Sequence, residues 1–187
     1  MPVTCIVLAA GASKRLRRPK QLAEVDGQPL IARAVRVAAA VAPTIVVVPP
    51  DGLPAARAIR EILDRLQPSL PLRIVENPDW SEGMASSIRA GVAAAEGDVV
   101  ITLCDQPRIT PAHLRALVAA GSPIAATGYS GIAGVPVFFA AEFRNELLAL
   151  RGESGARSVV EAHRSRTAVI PFDAARFDLD TDADFSL

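Results

Sequence analysis

Aromatic side chains are scarce in this chain of 187 residues, at 4% with one Trp and one Tyr, so Ala and Val carry most of the apolar weight. Net charge is also missing. Twenty Lys and Arg balance twenty Asp and Glu, which excludes the broad basic footprint of a nucleic-acid binder and leaves the cations to act locally. No apolar run reaches the roughly 18 residues that a membrane span needs. At the N-terminus, Lys and Arg follow the first apolar run instead of preceding it, which is not a signal-peptide layout, so a cytoplasmic location is expected. Only two cysteines are present, Cys5 and Cys104. Each sits inside an apolar, strand-like run, and the expectation is two buried thiols acting as small hydrophobes, not a redox pair. What is present is half apolar and 21% charged, an ordinary globular balance in a chain long enough for one domain with a sizeable core. A single domain over 1–187 is expected.

Strand-length apolar runs alternate with helical spacing along the whole chain. Strands are expected over 3–8, 44–48, 72–76, 99–103, 123–127, 135–139 and 167–172. Between them, helices are expected over 30–42, 57–66 and 84–95, after a Thr110 cap with Pro111 at the first helical position, and near 141–150 and 154–163. The run 99–103 is continuously apolar, as a strand buried on both faces should be. The alternation predicts an α/β fold, a Rossmann-like and mainly parallel sheet with helices on both faces. Such sheets bind ligands at the carboxyl ends of their strands, so the turns after Leu8, Glu76 and Leu103 are the places to search.

The first of these turns reads Ala9-Ala10-Gly11-Ala12-Ser13-Lys14-Arg15-Leu16-Arg17-Arg18-Pro19-Lys20. Small residues let backbone N–H groups approach an anion closely, and five cations follow within seven residues. The run is neither a Walker loop, lacking Gly-Lys-Ser/Thr, nor a dinucleotide fingerprint, because Gly11 lacks its partner glycines. Such a loop suits a polyphosphate; a solvated basic loop is the plain alternative. In the third turn, Cys104-Asp105-Gln106-Pro107, a single carboxylate stands at the edge where a hard cation could take it with phosphate oxygens and water. Asp105 as a mere turn former is the alternative. The expected helix starting near Gly83 would direct free N–H groups at the same edge.

The stretch 8–22 resembles the signature of nucleotidyltransferases related to molybdenum cofactor biosynthesis: Leu-Ala-Ala/Gly-Gly, a Ser, an Arg and a Lys. The resemblance extends to Asp105-Gln106-Pro107, to Gly83-Met84-Ala85-Ser86-Ser87-Ile88, to Gly134-Val135-Pro136-Val137-Phe138-Phe139 and to Gly152-Glu153-Ser154-Gly155-Ala156-Arg157, and so covers nearly the whole chain. It implies a fold of the nucleotide-diphospho-sugar transferase type, with a nucleotide-binding half over about 1–120 and an acceptor-binding half over about 121–187. It implies that Leu8, Ala9, Ala10 and Gly11 hold the nucleotide with Gly83 and Ser87, that Arg15 and Lys20 contact the phosphates, and that Asp105 binds Mg2+. Gly134, Pro136 and Arg157 would face the acceptor, Arg157 on its phosphate; an ordinary surface role for Arg157 fits the sequence equally well. Asp178-Leu179-Asp180-Thr181-Asp182 fails as a calcium loop, with Ala183 at the sixth position; the resemblance makes Asp180 a second metal ligand, and a Thr181 helix cap is the alternative. One departure is Arg17, where the family carries Gly. His113 and His163 read as ordinary helix residues.

Ala10 and the run Pro29-Leu30-Ile31 with Ala34 are similar to the cytidylyl branch of that family. The expectation is therefore transfer of CMP from CTP to the molybdopterin cofactor with release of pyrophosphate, serving a molybdenum hydroxylase such as xanthine dehydrogenase, with neither nucleic acid nor membrane as partner. Methylerythritol phosphate cytidylyltransferases form an alternative, because Pro19-Lys20-Gln21 fits their loop, although the Asp105 turn and the short chain fit them less well. A non-catalytic molybdenum cofactor carrier is the alternative of another class.

Overall fold

The computed structural model describes residues 1–11, 19–177 and 179; Arg15, Arg17 and Asp180 lie outside them. The N-terminal strand β1 (Val3–Leu8) is followed by a short hairpin, β2 (Glu24–Val25) and β3 (Gln28–Pro29), then by α1 (Leu30–Ala39), β4 (Thr44–Val48), α2 (Pro54–Leu66), β5 (Leu72–Glu76), α3 (Met84–Ala94) and β6 (Asp98–Leu103). The rest of the chain gives α4 (Pro111–Val118), β7 (Ile124–Tyr129), β8 (Ile132–Phe139), α5 (Arg144–Ala149), α6 (Ala156–Ala162) and β9 (Thr167–Pro171).

The described residues form a seven-stranded sheet in the order β5-β4-β1-β6-β8-β7-β9. Its pairs are parallel except those of β8, which runs antiparallel to both β6 and β7. The carboxyl ends of β1, β4, β5, β6, β7 and β9 therefore share one edge. The sheet is continuous across the expected boundary near residue 120, since β6 pairs directly with β8.

Strand alternation divides the core in two. Cys5, Val7, Val46, Val48 and Val100 face Ile31, Val35, Ile59, Leu63, Leu114 and Leu117 of α1, α2 and α4. Ile6, Leu8, Val47, Ile101 and Val137 face Ile88, Val92, Leu147 and Val160 of α3, α5 and α6. The central strands are thus buried on both faces, which is why they read as unbroken apolar runs. The Thr110 hydroxyl caps α4 by accepting from His113 N–H at 3.2 Å, with Pro111 in the first turn as expected.

Two hairpins sharpen the sequence reading. Asp26-Gly27 turns β2 into β3 with both residues at positive φ, 53° and 71°, the Asp-Gly signal of a two-residue turn. Ser130-Gly131 does the same between β7 and β8, at 48° and 75°, and so extends β8 back to Ile132. Within that second hairpin the register slips: Ala126 faces Val137, whereas Thr127 faces Gly134. Val135 and Pro136 bulge out between them, and β6 loses its β8 partner beyond Ile101.

Candidate active site at the carboxyl edge

At the end of β1, Leu8 C=O accepts from Cys104 N–H at 3.3 Å, and Ala9 N–H donates to Val47 O at 2.9 Å. The chain is thereby pinned between β4 and the turn after β6. Gln21, 2% exposed, donates its carboxamide to Ala9 O at 2.8 Å and to Gly11 O at 2.9 Å. The N–H groups of Ala10 and Gly11 have no acceptor among the described residues, the condition for a backbone anion site. Ala10 is buried, in one cluster with Leu8 and Ile88.

Lys20 enters from the short turn after Pro19, and its ammonium contacts Asp105 Oδ2. Two sequence-expected residues 85 positions apart thus meet where β1 and β6 end. The other carboxylate oxygen, Asp105 Oδ1, is buried and has no hydrogen-bond partner among the described residues. A hard cation needs such an anionic oxygen, so Asp105 fits the expected metal. Among the described residues no three His, Cys, Asp or Glu side chains converge; phosphate oxygens and water would have to complete the shell. Asp105 O accepts from Leu179 N–H at 3.0 Å, and Leu179 is buried with Ala23 and Leu30. The residue before Asp180 is therefore fastened to the acidic turn. Gln106, 4% exposed, donates to Ala175 O at 3.1 Å and to Val135 O at 3.4 Å. Cys5 and Cys104 are buried free thiols. Burial pushes the Cys5 thiol up to about 12 and raises Cys104 as well, with the neighbouring Asp105 adding to it.

The turn after β5 is organised by Asn77, whose N–H donates to Val48 O at 2.9 Å. Its carboxamide donates to Ser86 Oγ at 2.8 Å and Ser87 Oγ at 3.0 Å. Gly83 takes φ 124°, and a Cβ there would lie 2.5 Å from Gly152 O. That carbonyl accepts from Ala85 N–H at 3.1 Å. The start of α3 is therefore partly satisfied by the loop before α6, whereas the sequence alone suggested free N–H groups. Glu82 completes the junction: it accepts from Arg89 and from Gly152 N–H, and these contacts, Arg89 foremost, hold its carboxyl down at about 2.

Of the residues expected to face the acceptor, Gly134 pairs with Thr127 at the border of the β8 bulge and Pro136 lies within it. A Cβ at Gly134 would lie 2.7 Å from Tyr129 Oη, so glycine lets that ring cross the hairpin. Pro136 is buried, and its carbonyl accepts from Thr127 Oγ1 at 2.6 Å. Thr127 Oγ1 in turn lies 2.8 Å from His113 Nε2. Because the hydroxyl's one proton goes to Pro136 O, His113 Nε2 carries the N–H. Arg157 is exposed and paired with Glu161 at 2.8 Å; both line a cleft of about 580 Å³ between α6, β9 and the β7–β8 turn. Asn77, Gln21, Gln106, Glu82 and Gly152 were not marked by the sequence as site-builders. Adjacency was the signal for three of them, since Gln21 follows Lys20, Gln106 follows Asp105 and Glu82 precedes Gly83.

Comparison with known proteins gives the family and the fold. The family model described as MobA-like NTP transferase domain matches residues 5–167. Nicotine blue oxidoreductase of Paenarthrobacter nicotinovorans is 33% identical over 168 residues, 83% of this chain and 79% of that protein. A probable molybdenum cofactor guanylyltransferase of Synechococcus elongatus is 28% identical over 121 residues, 62% of this chain and 57% of that one. Among solved structures, Rv0371c of Mycobacterium tuberculosis H37Rv superposes with a TM-score of 0.80 at 28% identity, covering 100% of this chain and 97% of its own. The same protein is also known in complex with manganese, at a TM-score of 0.76 and 27% identity, with the same coverage of both chains. No helix among the described residues is long and apolar enough to cross a membrane.

Proposed function

Since the chain belongs to the MobA-like NTP transferase family, we propose that it moves CMP from CTP to the molybdopterin cofactor and releases pyrophosphate, for the maturation of a molybdenum hydroxylase such as xanthine dehydrogenase. The observation that carries this reading is the meeting of Lys20 with Asp105 at the ends of β1 and β6, with Asp105 Oδ1 buried and unpartnered among the described residues. The curated relative of Synechococcus, a probable molybdenum cofactor guanylyltransferase, supports the acceptor class.

In this reading the acceptor's phosphate oxygen attacks the α-phosphorus of CTP. A P–O bond forms there, and the bond to the β,γ-diphosphate breaks. No side-chain nucleophile is required; positioning and charge do most of the work. The N–H groups of Ala10 and Gly11 bind phosphate oxygens, and Lys20 and Arg15 offset charge that grows on the α-phosphate and the leaving pyrophosphate. Ser87, held by Asn77, and Gly83 bound the nucleoside. Asp105 would hold a divalent cation, Mg2+ or the manganese found with Rv0371c, with Asp180 as a second carboxylate; when bound, the ion supplies charge neutralisation on the triphosphate. The Lys20 ammonium lies against Asp105 Oδ2, on the same carboxylate. The acceptor approaches past Gly134 and Pro136, with Arg157 on its phosphate and the cleft beside α6 giving it room.

The test is purified protein with each NTP, Mg2+ and molybdopterin, with pyrophosphate release recorded. CTP-dependent release supports the transferase. Tight binding without turnover would establish a carrier instead. The match to nicotine blue oxidoreductase favours a second reading, an oxidoreductase on the same scaffold, and nicotine blue belongs in the same assay as an alternative substrate.

A further inference from the structure

The two residues of the charged pair are each followed by a buried glutamine. Gln21 is 2% and Gln106 is 4% exposed, burial that a carboxamide tolerates only when it is hydrogen-bonded. Each gives its nitrogen to two backbone carbonyls, and the pairs lie on opposite sides of the site. Gln21 takes Ala9 O and Gly11 O, both in the loop after β1. Gln106 takes Val135 O and Ala175 O, one in the β8 bulge and one in the segment leading to Leu179.

We propose that Gln21 and Gln106 are positioning residues with divided duties, Gln21 shaping the nucleotide loop and Gln106 docking the acceptor side onto the Asp105 turn. The first duty follows from dipoles. A loop that binds polyphosphate must show it N–H groups and hide its carbonyls. Gln21 draws two carbonyls, of residues two apart, onto one amide group, while no acceptor among the described residues claims the N–H groups of Ala10 and Gly11. The second duty follows from the register slip. Val135 has no partner on β7, and β6 pairs with β8 only as far as Ile101. Its carbonyl is held by Gln106 instead of by a strand, and the same amide holds Ala175, four residues before the Leu179 N–H that bonds Asp105 O. Gln106 Oε1 has no partner among the described residues. The donor end of this side chain, not its acceptor end, does the fastening.

The division rests on the reading of the site as a nucleotidyltransferase, and the test separates the two. Gln21→Met and Gln106→Met keep volume and remove the donor. Calorimetric titrations with CTP plus Mg2+, and separately with molybdopterin, are run on each full-length variant, with hydrogen exchange recorded on the ligand-free protein. Gln21→Met should weaken CTP about tenfold, the order expected for one to two lost hydrogen bonds, and leave molybdopterin within about twofold. Gln106→Met should do the reverse. Exchange should rise around Ala9–Gly11 in the first variant, and around Val135 and Ala175 in the second. Where a Met variant fails to fold, Gln21→Asn and Gln106→Asn, which withdraw the amide by one methylene, replace it. Equal losses of both ligands in both variants, alongside a general fall in Tm, would overturn the division, as would unchanged affinities and exchange. If wild type binds CTP yet releases no pyrophosphate, the transferase reading fails while the Gln21 result still stands. If it binds neither ligand, the exchange pattern alone decides the positioning roles.

Discussion

His113 is the buried group whose titration the structure defines most sharply, and it predicts a specific acid sensitivity. Its ring is 5% exposed, stacked on Phe172 with centroids 4.3 Å apart, and bonded through Thr127 to Pro136 O. Burial pushes its pKa down from 6.5 to about 4. Above 6.5 the imidazole is neutral in both folded and unfolded chains, and its contribution to stability does not change with pH. Between 6.5 and about 4 the unfolded chain takes a proton that the folded one refuses, so stability falls as pH falls. Below about 4 both states are protonated and the full loss is in place. Two and a half pH units at 1.36 kcal/mol each give about 3 kcal/mol over the window. This is a substantial share of a domain's net stability. Carboxylates titrate in the lower part of the same range, so the measurement is a difference: urea unfolding of wild type and His113→Gln from pH 7.5 to 4.5. The wild type should lose roughly 2–3 kcal/mol more than the variant across that span. Parallel curves would refute the assignment of His113 as a neutral, buried donor.

Asp105→Asn should abolish Mg2+-dependent turnover while the chain stays folded, as judged by circular dichroism; near-normal activity would sink the metal assignment. Lys20→Ala should lower kcat more than it weakens CTP, because a cation on the reacting phosphate acts most in the transition state; an unchanged kcat with weaker CTP would count against that role. Gly83→Ala meets both a positive φ and Gly152 O at 2.5 Å, and should cost about 2–4 kcal/mol of stability by urea unfolding; a variant as stable as wild type would show that the α3–Gly152 junction yields easily. CTP should be preferred over GTP, with Ala10→Gly narrowing the gap, and the gap should amount to about 1–3 kcal/mol in kcat/KM for a methyl-scale effect; equal use of both nucleotides by wild type would remove the cytidylyl assignment.

Much of the fold was legible because the sheet is buried on both faces. Runs such as 44–48 and 99–103 have no alternation to misread, and their bounds matched the structure to within a residue. The polarity of β8 was not legible. Apolar content is the same whichever way a strand runs, and the Ser130-Gly131 turn that reverses it is only two residues long. The Asp26-Gly27 hairpin was missed for another reason. Strands of two residues carry too few positions for a period to show, although the Asp-Gly dipeptide itself is a strong turn signal. The expected cytidylyl determinant at 29–34 also has a plain structural use: Leu30 and Ile31 are wholly buried, and Leu30 N–H donates to Ala23 O.

The site shows where sequence reading stops for physical reasons. Asp105 could be named because a lone carboxylate closes an apolar strand run, and Lys20 because the family resemblance picks it out of five cations; the sheet then brings them together across 85 positions. The groups that give the site its shape are uncharged and buried, and each binds backbone. Gln21, Gln106, Asn77 and Thr127 all spend their side chains on main-chain oxygens or on neighbouring hydroxyls, and a sequence carries no mark of which carbonyls will lie nearby. Gly134 and Pro136 illustrate the point. The family resemblance implied that they face the acceptor; in the structure Gly134 borders, and Pro136 sits in, a bulge that frees the end of β6 from its neighbour. A regular β8 would have continued its ladder alongside Thr102 and Leu103 toward the Asp105 turn. The bulge ends that ladder at Ile101, and the His113–Thr127–Pro136 chain keeps it ended. The acidic turn therefore meets no β8 ladder, partly through a histidine on a helix behind the sheet, a residue to which the proposed reaction gives no chemistry.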